Sequence, residues 1–154
     1  MSTVVFVDGE FAADSQVSQE TLYIGSNSRK VGIIGKYAYG MVGGVHDLSE
    51  LIKWLKKGGP DSIDEDVRDY PGFSLDQSEA IVATRTNDGF KLYYLSNNGI
   101  SEDPWQHPFQ AIGSGAELAI GALEAGATPT QAIEIACKYD AYSSLPVNTA
   151  KVPF

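Results

Sequence analysis

The sequence predicts an α+β domain with largely antiparallel sheets, and three observations predict it. Short apolar runs flank turn dipeptides, including Asp8-Gly9, Gly35-Lys36 and Asn98-Gly99, which is hairpin patterning. Apolar residues spaced by three and four mark a helix from Leu48 to about Lys57, and cap and stop residues mark two more after Gly115. The resulting order, strands then helix, strands, two helices and a final strand, is that of an α+β chain. At 154 residues the expectation is one domain spanning 1–154, with no internal repeat and no linker. A chain of this size buries about 70% of the surface that its unfolded form exposes.

The elements follow in order. Thr3–Val7 and Glu10–Ala13 flank Asp8-Gly9, a dipeptide that favours a two-residue type I′ turn. In that turn Phe6 faces Phe11, Val4 faces Ala13 and Thr3 faces Asp14, so Ser2 lands beside the Asp14 carboxylate. Ser15 to Ser28 reads as a polar stretch. Lys30–Ile34 and Tyr37–Val42 form a second strand pair around Gly35-Lys36. Asp47 caps a helix from Leu48 to about Lys57, with Leu48, Leu51, Ile52 and Leu55 on one face, and Gly58-Gly59-Pro60 stops it.

Pro60 to Glu79 is acidic and proline-interrupted, and reads as a loop. Its "DSIDED" lacks the Gly and closing Glu of a calcium-binding EF-hand loop. Strands at Ala80–Thr86 and Phe90–Leu95 join through Asn87-Asp88-Gly89, and a further turn lies at Asn97-Asn98-Gly99. "PFQAIGSG" leads into a helix from Ala116 to Glu124, ended by Gly126. Thr128 caps the next helix, with Pro129 at its first position, running to about Lys138. "AYSSLPVNTAKV" supplies a turn and a final strand.

Composition narrows the function. A formal charge of −9 disfavours nucleic acid, whose phosphates require lysine and arginine. The lone cysteine, Cys137, gives no internal disulfide and no sign of an oxidising compartment. His46 and His107 are far apart and away from Cys137, so no zinc spacing exists. Without a leader or a membrane-length apolar run, the chain reads as cytoplasmic. "GSGAELAIG" has the wrong glycine spacing for a dinucleotide fingerprint, and reads as a helix start where small residues admit another backbone. Trp54, Trp105 and the tyrosines read as core or rim packing. No cofactor is implied.

Four segments together carry a resemblance: "STVVFV" with the returning Asp14, "SRKVGIIGKYAYGMVGG", "QAIGSGAELAIGAL" and "KYDAYSSLPVN". Their order resembles the proteasome β-subunit family and its bacterial HslV-type relatives, across Ser2–Lys57 and Ala80–Val152. The resemblance implies a four-layer αββα sandwich of two antiparallel sheets, the N-terminal nucleophile (Ntn) hydrolase fold, with a reduced helix layer where Pro60–Glu79 replaces a helix. It implies a threonine- or serine-type peptidase cleaving peptide or amide bonds. Ser2 would be the nucleophile in place of the usual Thr. Asp14, Lys30, Ser114, Asp140 and Ser143 would be the supporting polar set, Gly40 the oxyanion donor, and Ala38 and Val42 the lining of the substrate side-chain pocket. The family's Gly-Gly near the end is Ser144-Leu145 here. Implied partners are copies of the chain, in a possible ring, and a separate unfoldase ATPase, since no ATP-binding loop occurs.

A serine hydroxyl needs a base. Once Met1 is removed, the Ser2 α-amine, with a reference pKa of about 7.7–8.0, would serve as one. The alternative function is a catalytically inactive subunit of the same fold, acting in assembly or binding.

Overall fold

The computed structural model describes residues 2–19, 22–63, 73–102 and 107–154. Trp105 and the middle of the Pro60–Glu79 segment lie outside the described residues. The chain is α+β, with three antiparallel sheets and three helices among those residues.

The Asp8-Gly9 turn forms as the sequence demands, with positive φ at both residues (47° and 86°). It joins β1 (Thr3–Val7) to β2 (Glu10–Ala13) in the expected register, Phe6 opposite Phe11 and Val4 opposite Ala13. β3 (Val17–Gln19) and β4 (Leu22–Gly25) form a separate two-stranded ribbon within the stretch read as merely polar. β5 (Val31–Ile34) and β6 (Tyr37–Val42) pair around Gly35-Lys36. Helix α1 covers Val45–Lys56, starting three residues earlier than expected. β7 (Glu79–Thr86), β8 (Gly89–Ser96) and β9 (Gly99–Glu102) complete a five-stranded sheet in the order β5-β6-β7-β8-β9. β10 (Phe109–Gly113), α2 (Ala116–Glu124), α3 (Pro129–Tyr139) and β11 (Asn148–Lys151) follow. The four-stranded sheet runs β10-β1-β2-β11, so the chain's first strand is an interior one, held on both sides. Thr128 and Gln131 cap α3 reciprocally, which explains its sharp start.

Alternation along the strands divides the core into three clusters. Val4, Phe6, Phe11 and Ala13 of the four-stranded sheet meet Ala38, Val42, Ile81, Ala83 and Leu92 of the five-stranded one. On the far side of the five-stranded sheet, Tyr39, Met41, Val82 and Leu95 pack with Leu51 and Leu55 of α1. On the far side of the four-stranded sheet, Val5 and Ala12 pack with Ala119, Leu123, Ala132 and Ile133 of α2 and α3. No described helix is long and apolar enough to cross a membrane.

Candidate active site

Ser2 precedes β1 directly and is 4% exposed. Its carbonyl oxygen accepts from the Gly115 amide at 3.5 Å and from Ser114 Oγ at 3.4 Å, which fixes the backbone. Its side chain meets the only described ammonium buried at this end: Lys30 Nζ donates to Ser2 Oγ at 2.5 Å and to Asp14 Oδ1 at 2.8 Å. Lys30 reaches this point from the residue before β5, where its carbonyl accepts the Met41 amide at 2.9 Å.

Asp14 is fully buried, and four donors satisfy it. Oδ1 accepts from Thr3 N and Lys30 Nζ, and Oδ2 from Gln16 N and Ser144 N at 3.0 and 3.1 Å. Ser144 is therefore tied into the site through its backbone, while its hydroxyl pairs with that of Ser26 at 2.5 Å. Burial pulls the Lys30 ammonium below its ordinary pKa of 10.5, and the Asp14 carboxylate opposes that pull without cancelling it. The result is a lysine that gives up its proton more easily than a surface one.

A second polar group supports the first. Asp140, at the end of α3, accepts from Ser143 Oγ at 2.5 Å and Ser114 Oγ at 2.7 Å through one oxygen. Ser143 Oγ in turn pairs with Thr3 Oγ1 at 2.7 Å. The set thus joins the strand carrying the serine to the α2 entry and the α3 exit. Nearby Cys137 is half-buried, and burial raises its thiol pKa to about 11, which leaves it unreactive near neutrality.

Two glycines make this approach possible. A Cβ on Gly113 (φ +100°) would overlap the Ser2 carbonyl, and one on Gly115 would overlap the Thr3 hydroxyl. "GSG" is thus a contact motif around the chain's first residues, as its sequence reading suggested. Gly113→Ala is expected to destabilise the protein by about 2 kcal/mol or more, through crowding and an unfavourable backbone conformation together. Thermal unfolding against wild type checks this.

Three expected site residues stand elsewhere. Ala38, Gly40 and Val42 lie on the face of β6 that is turned into the core between the sheets. Ala38 and Val42 belong to its apolar cluster, and a Cβ on Gly40 would strike Val4 and Phe11. Residues two apart share a strand face, so all three side-chain positions point inward together. Backbone amides of a strand alternate between its two neighbours. Met41 N–H points to Lys30 O, on the β5 side, so the Gly40 N–H is turned toward β7. The next amide on the β5 side, beyond the start of β5, belongs to Gly43.

The open space beside Ser2 is a cleft of about 490 Å³. Ser2, Lys30, Met41, Gly43, Gly44 and the first turn of α1 line it, with Gln16, Ser18 and Gln77 on its walls. Gly43 has φ +129° and is pressed so closely on Ser78 that no side chain fits there. Its N–H has no acceptor among the described residues, whereas that of Gly44 donates to Ser78 Oγ at 3.0 Å. The sequence reading named none of Met41, Gly43, Asp47 and Ser78 as site residues. The "GG" of "MVGG" was the available signal, and only the strand register separates the amides of its two glycines.

Among the described residues, no group of three His, Cys, Asp or Glu side chains is arranged to hold a metal. No known protein-family model matches the chain, and no curated protein does.

Proposed function

We propose that the chain is an amide-bond hydrolase of the N-terminal nucleophile class, resembling proteasome-type peptidases, with Ser2 as the nucleophile once the bond preceding it is cut. One observation carries this reading: a single ammonium, Lys30 Nζ, lies 2.5 Å from Ser2 Oγ while Asp14 holds it at 2.8 Å. The layering supports it. The core clusters place α1 against the five-stranded sheet, that sheet against the four-stranded one, and the latter against α2 and α3, which supports reading the fold as the αββα sandwich of that class.

In the reaction, Ser2 Oγ attacks the carbonyl carbon of a peptide or amide. The O–H bond breaks as the C–O bond forms, and the proton passes to the α-amine of Ser2. Lys30 keeps that amine neutral by its charge and stabilises the developing alkoxide. The tetrahedral oxyanion accepts from Gly43 N–H, next to the positive end of α1. A preorganised donor there is worth about 3 kcal/mol. The C–N bond then breaks, the leaving amine takes the proton, and water cleaves the resulting ester by the same route.

The Lys30–Ser2 contact also favours a second assignment of the base. Lys30, with its lowered pKa, takes the hydroxyl proton itself and needs no free α-amine.

Labelling with a β-lactone probe tests the reading. Protein shown by intact mass to begin at Ser2 is expected to gain one adduct, mapped to Ser2, and Ser2→Ala none. Labelling of a chain that still carries Met1 would assign the base to Lys30. A chain that begins at Ser2 and takes no probe would instead be the non-catalytic subunit. A ring fed by a separate unfoldase ATPase is the setting that the resemblance implies, and sedimentation of the purified chain measures it.

A further inference from the structure

Asp47 was expected to cap its own helix, and it does not. Helix α1 has Gly44 at its N-cap, with no side chain bonding there, and Asp47 is the third helical residue. Its carboxylate is aimed across the cleft wall at the segment before β7. Ser78 Oγ donates to Asp47 Oδ2 at 2.6 Å, and the amides of Gln77 and Asp76 donate to its two oxygens at 3.3 Å. Both side chains are buried, Asp47 at 8% and Ser78 at 4% exposed. Burial pushes the Asp47 carboxyl up, but these three donors outweigh it and hold the group below the usual carboxylate range.

The serine completes a relay. Its hydrogen is committed to Asp47, which leaves its oxygen free to accept, and what it accepts is the Gly44 N–H at 3.0 Å. That amide belongs to the peptide unit joining Gly43 to Gly44. Ser78 also packs on Gly43 at closer than side-chain distance. The turn is therefore held from one side by a bond to its second amide and by contact with its first residue, while the other face stays open to the cleft. Two consecutive glycines are the least restrained backbone a chain can offer. Without a fixed partner, their amides would sample several directions.

We propose that Asp47 and Ser78 are positioning residues for the reaction: the Asp47 carboxylate orients the Ser78 hydroxyl, which locks the Gly43–Gly44 turn so that the Gly43 N–H faces the cleft at Ser2. In this role both act through the turn rather than on the reacting atoms. The proposal rests on the hydrolase reading, because it assigns the Gly43 amide a role in that reaction.

The test uses the chain beginning at Ser2, with a β-lactone probe read as separate maximal acylation rate and half-saturation concentration. It adds ¹⁵N-resolved hydrogen exchange at Gly44 and a thermal midpoint. Ser78→Ala is expected to speed Gly44 exchange at least tenfold and to lower the maximal rate on the order of tenfold to a hundredfold, short of or equal to deleting an oxyanion donor. The half-saturation concentration should stay within about twofold, because the turn matters to the transition state more than to binding. Asp47→Asn should move the same two readouts in the same direction. The double variant should be no slower than the worse single one, as expected for two members of one relay. A purely structural role would lower the midpoint without this split. If wild type labels at Ser2 and folded Ser78→Ala labels at the same maximal rate, the positioning role is overturned and the hydrolase reading survives. If wild type takes no probe, the hydrolase reading fails and this role fails with it, whatever Gly44 exchange shows.

Discussion

Replacing Lys30 with alanine is expected to slow acylation of Ser2 on the order of 10³-fold, within the range that a positioned acid or base supplies. The same nitrogen serves the hydroxyl and the buried carboxylate, so its loss removes whichever function it performs at Ser2, and it also strands Asp14. Lys30→Arg separates the two assignments of the base. Arginine keeps the positive charge but cannot give up its proton near neutrality. If the α-amine is the base, the arginine variant should retain part of the rate. If Lys30 is the base, it should be as slow as the alanine variant. The pH profile gives a second reading. With Lys30 as acceptor, the rate rises with pH through a pKa that burial holds below 10.5, and that limb persists in protein whose α-amine is blocked. With the α-amine as acceptor, blocking it abolishes the rate at every pH.

The lowered lysine pKa also makes a stability statement. Between the native pKa of Lys30 and its unfolded value of about 10.5, the unfolded chain binds more protons than the native one, so stability rises with pH across that window. The cost of a charged Lys30 is present in full below its native pKa and is relieved as pH climbs. A chain carrying Lys30→Met should lack this limb.

How much of this was legible in the sequence depends on the range of the cause. Ser2 beside Asp14 was readable because one dipeptide, Asp8-Gly9, fixes the turn, and the turn fixes every pairing up the ladder. α1 was readable from its spacing, α2 from its Gly126 stop, and α3 from its Thr128 cap and Pro129. Lys30 came from likeness to a family, since nothing local says which β5 flank meets β1. Ala38, Gly40 and Val42, read as pocket lining and oxyanion donor, lie on the inter-sheet face of β6, whereas Met41 and Gly43 line the cleft, because a shift of one residue along a strand changes the face. The β3–β4 ribbon was missed because Leu22, Tyr23 and Ile24 are consecutive and all exposed, with no alternation to read. Asp47 was recognised as a helix-start residue, yet its partners lie 29 to 31 positions away, beyond the reach of any local rule.

Asp14→Ala is expected to be the most destabilising change at the site, costing about 3–5 kcal/mol, because it breaks a buried ion pair from the side that holds everything else. The alanine leaves the Lys30 ammonium buried without its counter-charge, and it orphans the amides of Thr3, Gln16 and Ser144 together. At ~2–4 °C per kcal/mol for a chain of this size, the midpoint should fall by roughly 10 °C. Asparagine does not rescue it. One of the two oxygens must become an NH₂ group, which then faces either the lysine or the Gln16 and Ser144 amides, donor against donor. Adding Lys30→Met to Asp14→Ala should recover part of the loss, since the stranded charge goes with it, and the shortfall from additivity measures the coupling. The effect should also be local before it is global. Thr3, Gln16 and Ser144 belong to the first strand, the β2 exit and the loop after α3, and only this carboxylate bonds all three. Their amides should lose exchange protection together in Asp14→Ala, while those of β7 and β8 keep theirs. Unlinked exchange at the three amides would show that they are held by something other than Asp14. Together with a midpoint within about 2 °C of wild type, that result would remove the carboxylate from the centre of the site.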